Sequence, residues 1–259
     1  MSEFDVYTPS IARVYDFWLG GKDNYAADRE LGEKILAQYP VTADIVRENK
    51  QFLARAVTWV AIEGIRQFID LGAGLPTSPS TQETAQAVIP DARVAYVDTD
   101  PIVLVRLRAL FAHGNPSVTV VDGDLHDVDA ILAGVAGGID LKTPACLMMG
   151  SLLHFFPVDV GRDLLGRYAA ALAPGSYVIL SVGRSDGEVS DRFIDTYRQS
   201  GPSLYSYSAA DIAALPGSLE VVPPGITEAL RWWPGVAEED LPALPSRNGG
   251  LAAFVARVR

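Results

Sequence analysis

The stretch from Phe68 to Thr77 constrains the fold of this chain more than any other. A short apolar segment ends in Asp70, Gly72 and Gly74 follow with one residue between them, and a helix-like segment covers 78–88. Because glycine has no Cβ, the backbone can turn sharply after a strand and lie against a ligand. The pattern predicts a strand, a tight turn and a helix, which is how α/β proteins build a cofactor site.

Apolar runs alternate with helical patterns from residue 66 onward. Strands are predicted at 66–71, 93–98, 117–122, 144–150 and 176–182, and helices at 78–88, 101–112, 127–134 and 158–172. These runs are too continuous for a sheet with one exposed face, which indicates a mostly parallel sheet with helices on both faces. Further helices are predicted at 188–199 and 209–214, strands near 218–222 and at 250–258, and a long ordered loop at 223–250.

Residues 9–62 precede this alternation and have the pattern of three helices. The segment from Gly20 to Tyr25 lies between the first two, and Asp28 and Arg29 then begin what we interpret as a charged helix surface. The segment is either a solvated turn or a lid over the cofactor site. We expect one domain over 1–259, with 1–62 as a helical cap on a core of 63–259.

The composition narrows the classes of partner. The 259 residues carry a net charge of -11 with no run rich in Lys or Arg, so we expect no nucleic-acid partner. The single cysteine, Cys146, lies in an apolar run, and we interpret it as a small buried hydrophobic residue in a reducing compartment. No metal-ligand pattern, signal peptide or membrane-spanning run is visible, so we expect a cytoplasmic protein without a metal. The oligomeric state is left open.

Acidic residues follow three successive predicted strands. Asp70 would repel a pyrophosphate but attract an ammonium or sulfonium cation, and Thr77 replaces the third glycine of the dinucleotide fingerprint. Asp98 can accept hydrogen bonds from both hydroxyls of an adenosine ribose. Asp124 can accept from an adenine amino group while Leu125 packs on the ring. These acids favour a cationic, hydroxyl-rich and aminated cofactor over a nicotinamide dinucleotide.

These motifs resemble those of the S-adenosylmethionine-dependent methyltransferases of the Rossmann-like class. The segment from Asp70 to Gly74 resembles their glycine-rich first motif, and the segment from Gly150 to Phe155 resembles the fourth-strand motif beside the methyl group. The resemblance implies a seven-stranded α/β sheet in the order 3-2-1-4-5-7-6 with an antiparallel last strand. It also implies S-adenosyl-L-methionine as cofactor and S-adenosyl-L-homocysteine as product.

The N-terminal segment narrows the resemblance to one family. Residues 9–16 and 19–28 resemble the actinobacterial family known as S-adenosyl methyltransferase, most of whose members lack an assigned substrate. The segment 232–234 resembles a Trp-Arg-Pro of that family, with Trp233 in place of the arginine. This resemblance favours the lid interpretation of the segment from Gly20 to Tyr25.

The resemblance implies a cofactor site assembled from all of these motifs. Its candidate residues are Asp70, Gly72, Ala73, Gly74, Thr77, Asp98, Thr99, Asp124, Leu125, Gly150, Ser151, Tyr15, Gly21 and Asn24. Thr77 could donate its hydroxyl to the methionine carboxylate.

The predicted function is methyl transfer to a small-molecule acceptor. His154 is the candidate general base, and the alternative is a buried, hydrogen-bonded core histidine. Two other functions stay open: a cofactor-binding sensor or partner protein without turnover, and a nicotinamide dehydrogenase.

Overall fold

The computed structural model describes residues 5–184, 194–197, 203–245 and 250–259. The strands in these ranges are β1 (Gln67–Leu71), β2 (Arg93–Asp98), β3 (Val118–Asp122), β4 (Cys146–Gly150), β5 (Tyr177–Gly183), β6 (Glu220–Val221), β7 (Thr227–Glu228) and β8 (Leu251–Arg257). The α-helices are α1 (Ile11–Trp18), α2 (Ala26–Gln38), α3 (Thr42–Ile62), α4 (Thr81–Val88), α5 (Pro101–Leu107), α6 (Val128–Val135), α7 (Val158–Ala170) and α8 (Ala209–Ala214).

The strands form one mixed sheet in the order β3-β2-β1-β4-β5-β8-β6. Strands β1 to β5 pair in parallel, and β8 runs antiparallel to β5 along its whole length. The predicted α/β class and strand order are confirmed, with one addition. The segment predicted as a loop at 223–250 contains the short strand β7, which also pairs with β8. Thr227 lies beside Ala253, and Glu228 lies beside Ala252.

Two helices differ from the predictions by more than two residues. Helix α4 begins at Thr81, because Ser80 Oγ accepts from the Glu83 N–H at 3.1 Å while Glu83 Oε2 accepts from the Ser80 N–H at 2.7 Å. The segment predicted as one helix at 101–112 is α-helical to Leu107 and continues as a π-helical turn. Most of the helix predicted at 188–199 falls outside the described residues.

Helices cover both faces of the sheet, as predicted. Helices α3, α4 and α5 pack on one face, and α6, α7 and α8 pack on the other. Phe52, Val57 and Val60 of α3 belong to the same core cluster as Phe68 of β1. Helix α3 is therefore a layer of the core, and α1 and α2 alone form the part of 1–62 that lies over it. The expectation of one domain over 1–259 stays a prediction.

Cys146 is fully buried in β4, in agreement with its interpretation as a core residue. Within the described ranges, none of the helices combines the length and apolarity needed to cross a bilayer.

Trp232 anchors the segment between β7 and β8 to α3. Its ring is fully buried and meets the rings of Phe52 and Trp59 edge to face, with centroids 5.6 and 6.0 Å apart. The Arg55 guanidinium donates to the carbonyls of Ala229 and Trp232 at 2.7 and 3.3 Å. The neighbouring Trp233 is 37% exposed and lies against the Arg55 guanidinium, 4.3 Å from the ring centroid.

We therefore expect Trp232→Ala to lower the free energy of unfolding by about 3–5 kcal/mol, because it leaves a cavity between α3 and the sheet. Trp233→Ala should cost about 1 kcal/mol or less, since it removes one cation–π contact of a partly exposed ring. Urea unfolding followed by circular dichroism measures both. Equal losses for the two variants would contradict this assignment of the anchor.

Candidate functional site

A cavity of about 750 Å³ lies at the carboxyl ends of β1 to β4. Twelve of the fourteen predicted cofactor residues line it: Tyr15, Asp70, Gly72, Ala73, Gly74, Thr77, Asp98, Thr99, Asp124, Leu125, Gly150 and Ser151. They meet because parallel strands all end at the same edge of the sheet. The strand order β3-β2-β1-β4 sets Asp124, Asp98, Asp70 and Ser151 in series along this edge.

The turn after β1 is held in the left-handed backbone region. Gly72 and Gly74 have φ of 64° and 67°, where a side chain would be strained, and a Cβ on Gly72 would also lie 2.6 Å from Leu152 Cδ1. The Gly74 N–H donates to Asp98 Oδ2 at 2.9 Å. The glycine turn therefore fixes the acid at the end of the neighbouring strand.

Asp98 is oriented entirely by backbone groups. Besides the Gly74 N–H, the N–H groups of Thr99 and Asp100 donate to its Oδ1 at 2.8 and 2.9 Å. Burial raises the pKa of Asp98, and these three hydrogen bonds oppose that shift. The carboxylate keeps acceptor capacity towards the cavity, as recognition of ribose hydroxyls requires.

Asp70 lies deeper in the cavity. It accepts a hydrogen bond of 2.7 Å from Thr81 Oγ1. Burial raises its pKa to about 6, which the hydrogen bond and the positive charge of Lys50 oppose. Lys50, from α3, lines the same cavity and was missed by the sequence analysis. The available signal was its place three and seven residues before Leu53 and Val57, on the otherwise apolar face of a helix.

Two hydroxyl groups of the cavity are buried without a hydrogen-bond partner: Thr77 Oγ1 and Ser151 Oγ. Ser151 also has φ of 53°, a strained value for a residue other than glycine, and its N–H donates to Ser181 Oγ at 2.9 Å. Buried polar atoms are normally paired, so unpaired ones in a cavity suit a polar ligand. Together with the acids, they fit a cationic, hydroxyl-rich cofactor.

A chain of hydrogen bonds holds Tyr15 in the wall of the cavity. Ser181 Oγ donates to Asn49 Oδ1 at 2.6 Å, Asn49 Nδ2 donates to the Tyr15 hydroxyl at 2.9 Å, and this hydroxyl donates to the Val46 carbonyl at 3.3 Å. Burial raises the pKa of Tyr15 to about 12, so the phenol stays protonated. Asn49 was also missed, because a single amide in a helix carries no distinguishing pattern.

Helix α1 lies over the cavity as its lid, and a buried ion pair holds it there. Arg13 Nε donates to Asp28 Oδ2 at 2.8 Å, and both side chains are almost completely buried. The N–H groups of Ser10 and Tyr25 also donate to Asp28, at 2.9 and 2.8 Å. The interpretation of Asp28 as part of a charged helix surface is therefore wrong. A second contact, Ser10 Oγ to Asp100 Oδ2 at 2.6 Å, fastens the lid to the start of α5.

Gly21 and Asn24 do not line the cavity, in contrast to their predicted cofactor contacts. The Gly21 N–H donates to the Asp16 carbonyl at 2.8 Å, and Asn24 Nδ2 donates to Asp16 Oδ2 at 2.8 Å. Both residues therefore support the lid from behind, because Asp16 occupies the position that faces the cavity. Asp23 of the same turn pairs with Arg106 of α5.

The β3 end of the series, which the sequence analysis assigned to adenine, is open. The Asp124 side chain is 73% exposed and accepts from the His126 N–H at 2.9 Å, whereas Leu125 is buried. Both residues line the cavity as predicted. In the described ranges, no three His, Cys, Asp or Glu side chains are grouped so that they could hold a metal ion.

His154 lines a second cavity of about 170 Å³. Its Nδ1 accepts a hydrogen bond of 3.1 Å from the Gly183 N–H, and burial lowers its pKa to about 4. The ring is therefore neutral, and because Nδ1 is an acceptor, its proton lies on Nε2. A ring in this state has no free nitrogen lone pair for a base, so the geometry favours the alternative of a buried, hydrogen-bonded histidine.

Comparison with known proteins identifies the family. The S-adenosyl methyltransferase family model matches residues 1–258. The chain belongs to this family. The predicted family and the prediction of a methyl-transferring enzyme are confirmed at this level.

Two crystal structures are similar over nearly the whole chain. A protein from Thermobifida fusca, described as a candidate methyltransferase, is 37% identical, with 99% of this chain and 97% of that chain covered and a TM-score of 0.91. A DUF574 family protein from Streptomyces avermitilis is 32% identical, with 99% and 100% covered and a TM-score of 0.88.

A curated relative, the ornithine lipid N-methyltransferase of Singulisphaera acidiphila, is 34% identical over 120 residues, which are 46% of this chain. The match spans 57% of that relative's own length.

The pKa of Asp70 predicts a pH-dependent stability. Asp ionises near about 3.9 in an unfolded chain and at about 6 in this fold. The folded state therefore binds the Asp70 proton more tightly than the unfolded state does. The stabilisation that this proton gives to the fold is lost as the pH rises from about 4 to about 6. We expect the stability of Asp70→Asn relative to wild type to rise by about 1–2 kcal/mol between pH 4.5 and 7.5, measured by urea unfolding.

Asp91→Asn is the control, because the Arg66 hydrogen bond lowers the pKa of Asp91 at the protein surface. Its stability relative to wild type should stay nearly constant between about pH 4.5 and 7.5, since Asp91 is ionised in both the folded and the unfolded state over this range. A pH-independent effect of Asp70→Asn would show that the carboxyl is not perturbed in the fold.

Proposed function

We propose that this protein transfers a methyl group from S-adenosyl-L-methionine to a small-molecule acceptor. The observation that carries the proposal is a wall shared by two cavities: Ile11, Tyr15, Ser151 and Phe155 line both the cavity of about 750 Å³ and that of about 170 Å³. In this proposal the larger cavity binds the donor and the smaller one the acceptor, so that the reacting groups meet at the shared wall.

The larger cavity suits the donor group by group. Asp98 would accept hydrogen bonds from the ribose hydroxyls. Asp124 and Leu125 would contact the adenine, and Asp70 would face the positively charged methionine end. The cofactor would supply a sulfonium methyl group whose carbon a nucleophile can attack in line, with S-adenosyl-L-homocysteine as the leaving group. The carboxylate of Asp70 also disfavours a nicotinamide dinucleotide, whose pyrophosphate would lie at this turn.

The smaller cavity suits an acceptor with an apolar body. Its described lining includes Trp18, Val46, Phe155, Tyr197 and Leu204, whose surfaces are mostly apolar or aromatic.

Methyl transfer depends on the orientation of the two reactants and on the exclusion of water, which together can lower the barrier by about 7–11 kcal/mol. The Arg13–Asp28 pair holds α1 over the site for this purpose. Since His154 is neutral and its Nδ1 is occupied, the acceptor would bring a nucleophile that needs no base from His154.

The alternative is a protein that binds the cofactor as a sensor without turnover. A sensor has no need of a second cavity against the methyl-bearing end of the first. The shared wall at Tyr15 and Ser151 therefore supports the enzyme.

Asp98→Asn should weaken binding of S-adenosyl-L-homocysteine about 10- to 100-fold, because it removes the charge from the hydrogen bonds to the ribose. Isothermal titration calorimetry measures the affinity, and thermal unfolding of the free variant checks that the glycine turn is intact. Asp91→Asn, at an exposed ion pair, is the matched control and should bind normally. Unchanged affinity of folded Asp98→Asn would remove Asp98 from the site.

Ile45→Trp should fill the smaller cavity, whose wall includes Ile45 but not Asp70, Asp98 or Asp124. We expect S-adenosyl-L-homocysteine to bind within about twofold of wild type, while turnover falls at least about tenfold. The assay measures S-adenosyl-L-homocysteine formed with a panel of small phenols, carboxylates and amines and with ornithine lipid. Full turnover in the variant would place the acceptor elsewhere, and tight cofactor binding without turnover of any panel member would favour the sensor.

A further inference from the structure

Lys50 is a basic residue of the larger cavity without an ion-pair partner among the described residues. Across the described ranges, the basic side chains lining this cavity are Arg13, Lys50 and His126. Arg13 is bonded to Asp28, and His126 lies 3.7 Å from Asp124. Lys50 makes no hydrogen bond and no ion pair with any of the described residues.

Lys50 is partly buried beside Asp70. Burial lowers its pKa, and the Asp70 carboxylate opposes that shift without a direct ion pair. On the same helix, Asn49 receives the hydrogen bond from Ser181 of β5, and Leu53 lies against Gly150 at the end of β4. Lys50 therefore stands beside Asp70 on the side of β4, away from the ribose and adenine residues on β2 and β3.

We propose that Lys50 binds the α-carboxylate of the methionine part of the cofactor, while Asp70 faces its α-ammonium group. This inference rests on the proposed function. An amino-acid zwitterion presents one charge of each sign on neighbouring atoms, and Lys50 and Asp70 present the complementary pair. The unpaired Thr77 hydroxyl adds a neutral donor in the same cavity.

The Lys50 ammonium group is a stronger ligand for the carboxylate than the Thr77 hydroxyl. The sequence analysis assigned the carboxylate to Thr77 alone. A charge-assisted hydrogen bond is roughly twice as strong as a neutral one, and the neighbouring Asp70 carboxylate would repel a ligand carboxylate that lacked such a partner. Lys50 is therefore a cofactor-binding residue that selects donors with an intact amino-acid group.

The experiment compares ligands with and without that group. Calorimetry measures S-adenosyl-L-homocysteine, 5′-methylthioadenosine, S-adenosylmethionine and decarboxylated S-adenosylmethionine on wild type, Lys50→Met and Lys50→Arg. We expect Lys50→Met to lose about 10- to 100-fold in affinity for S-adenosyl-L-homocysteine, to bind methylthioadenosine normally, and no longer to prefer S-adenosylmethionine over its decarboxylated form. Lys50→Arg should retain most of the affinity.

Arg47→Met is the matched control, since Arg47 lies one turn away on α3 in an exposed pair with Asp44. It should bind all four ligands as wild type does. Equal losses of methylthioadenosine and S-adenosyl-L-homocysteine in Lys50→Met would overturn the assignment, and so would a preserved preference for the carboxylated donor. Failure of wild type to bind any of the four ligands would instead overturn the proposed function.

Discussion

The parallel pairing of β1 with β2 and β4 is the constraint on which the site depends. It brings the carboxyl ends of the strands to one edge, where burial raises the pKa of Asp70 and the nearby Asp98 charge raises it further. The fold offsets this repulsion locally. Backbone N–H groups, one of them from Gly74, hold Asp98, and Thr81 holds Asp70. The glycine turn therefore both shapes the cavity and orients its acids.

The lid depends on a different kind of interaction. Asp28 is completely buried and has as partners the Arg13 guanidinium and two backbone N–H groups. A buried charge of this kind is tolerable only when its partners are fixed, so the pair ties the start of α2 to α1. Ser10 then ties α1 to Asp100, the residue that caps α5. The position of α1 over the cavity follows from these two contacts.

The groups left unpaired by the fold point to function. Among the described residues, Thr77 Oγ1 and Ser151 Oγ of the cavity are buried without a hydrogen-bond partner, and the ammonium group of Lys50 makes no ion pair. All three line the cavity at the β1 and β4 ends, next to the wall shared with the apolar cavity of His154 and Tyr15. The polar groups suit the charged end of a donor, and the apolar cavity suits the body of an acceptor.

The sequence by itself determined the sheet, the glycine turn and the acids at the strand ends, because strand periodicity and glycine conformation are local properties. Membership of the family was likewise predictable from contiguous motifs. Tertiary structure alone decided the partners across long separations: Arg13 with Asp28, Asn49 with Ser181, and Lys50 beside Asp70. It also moved Gly21 and Asn24 behind the lid and placed a backbone N–H on His154 Nδ1. Local patterns carry no information on such pairs, since their geometry exists only when distant helices pack on the sheet.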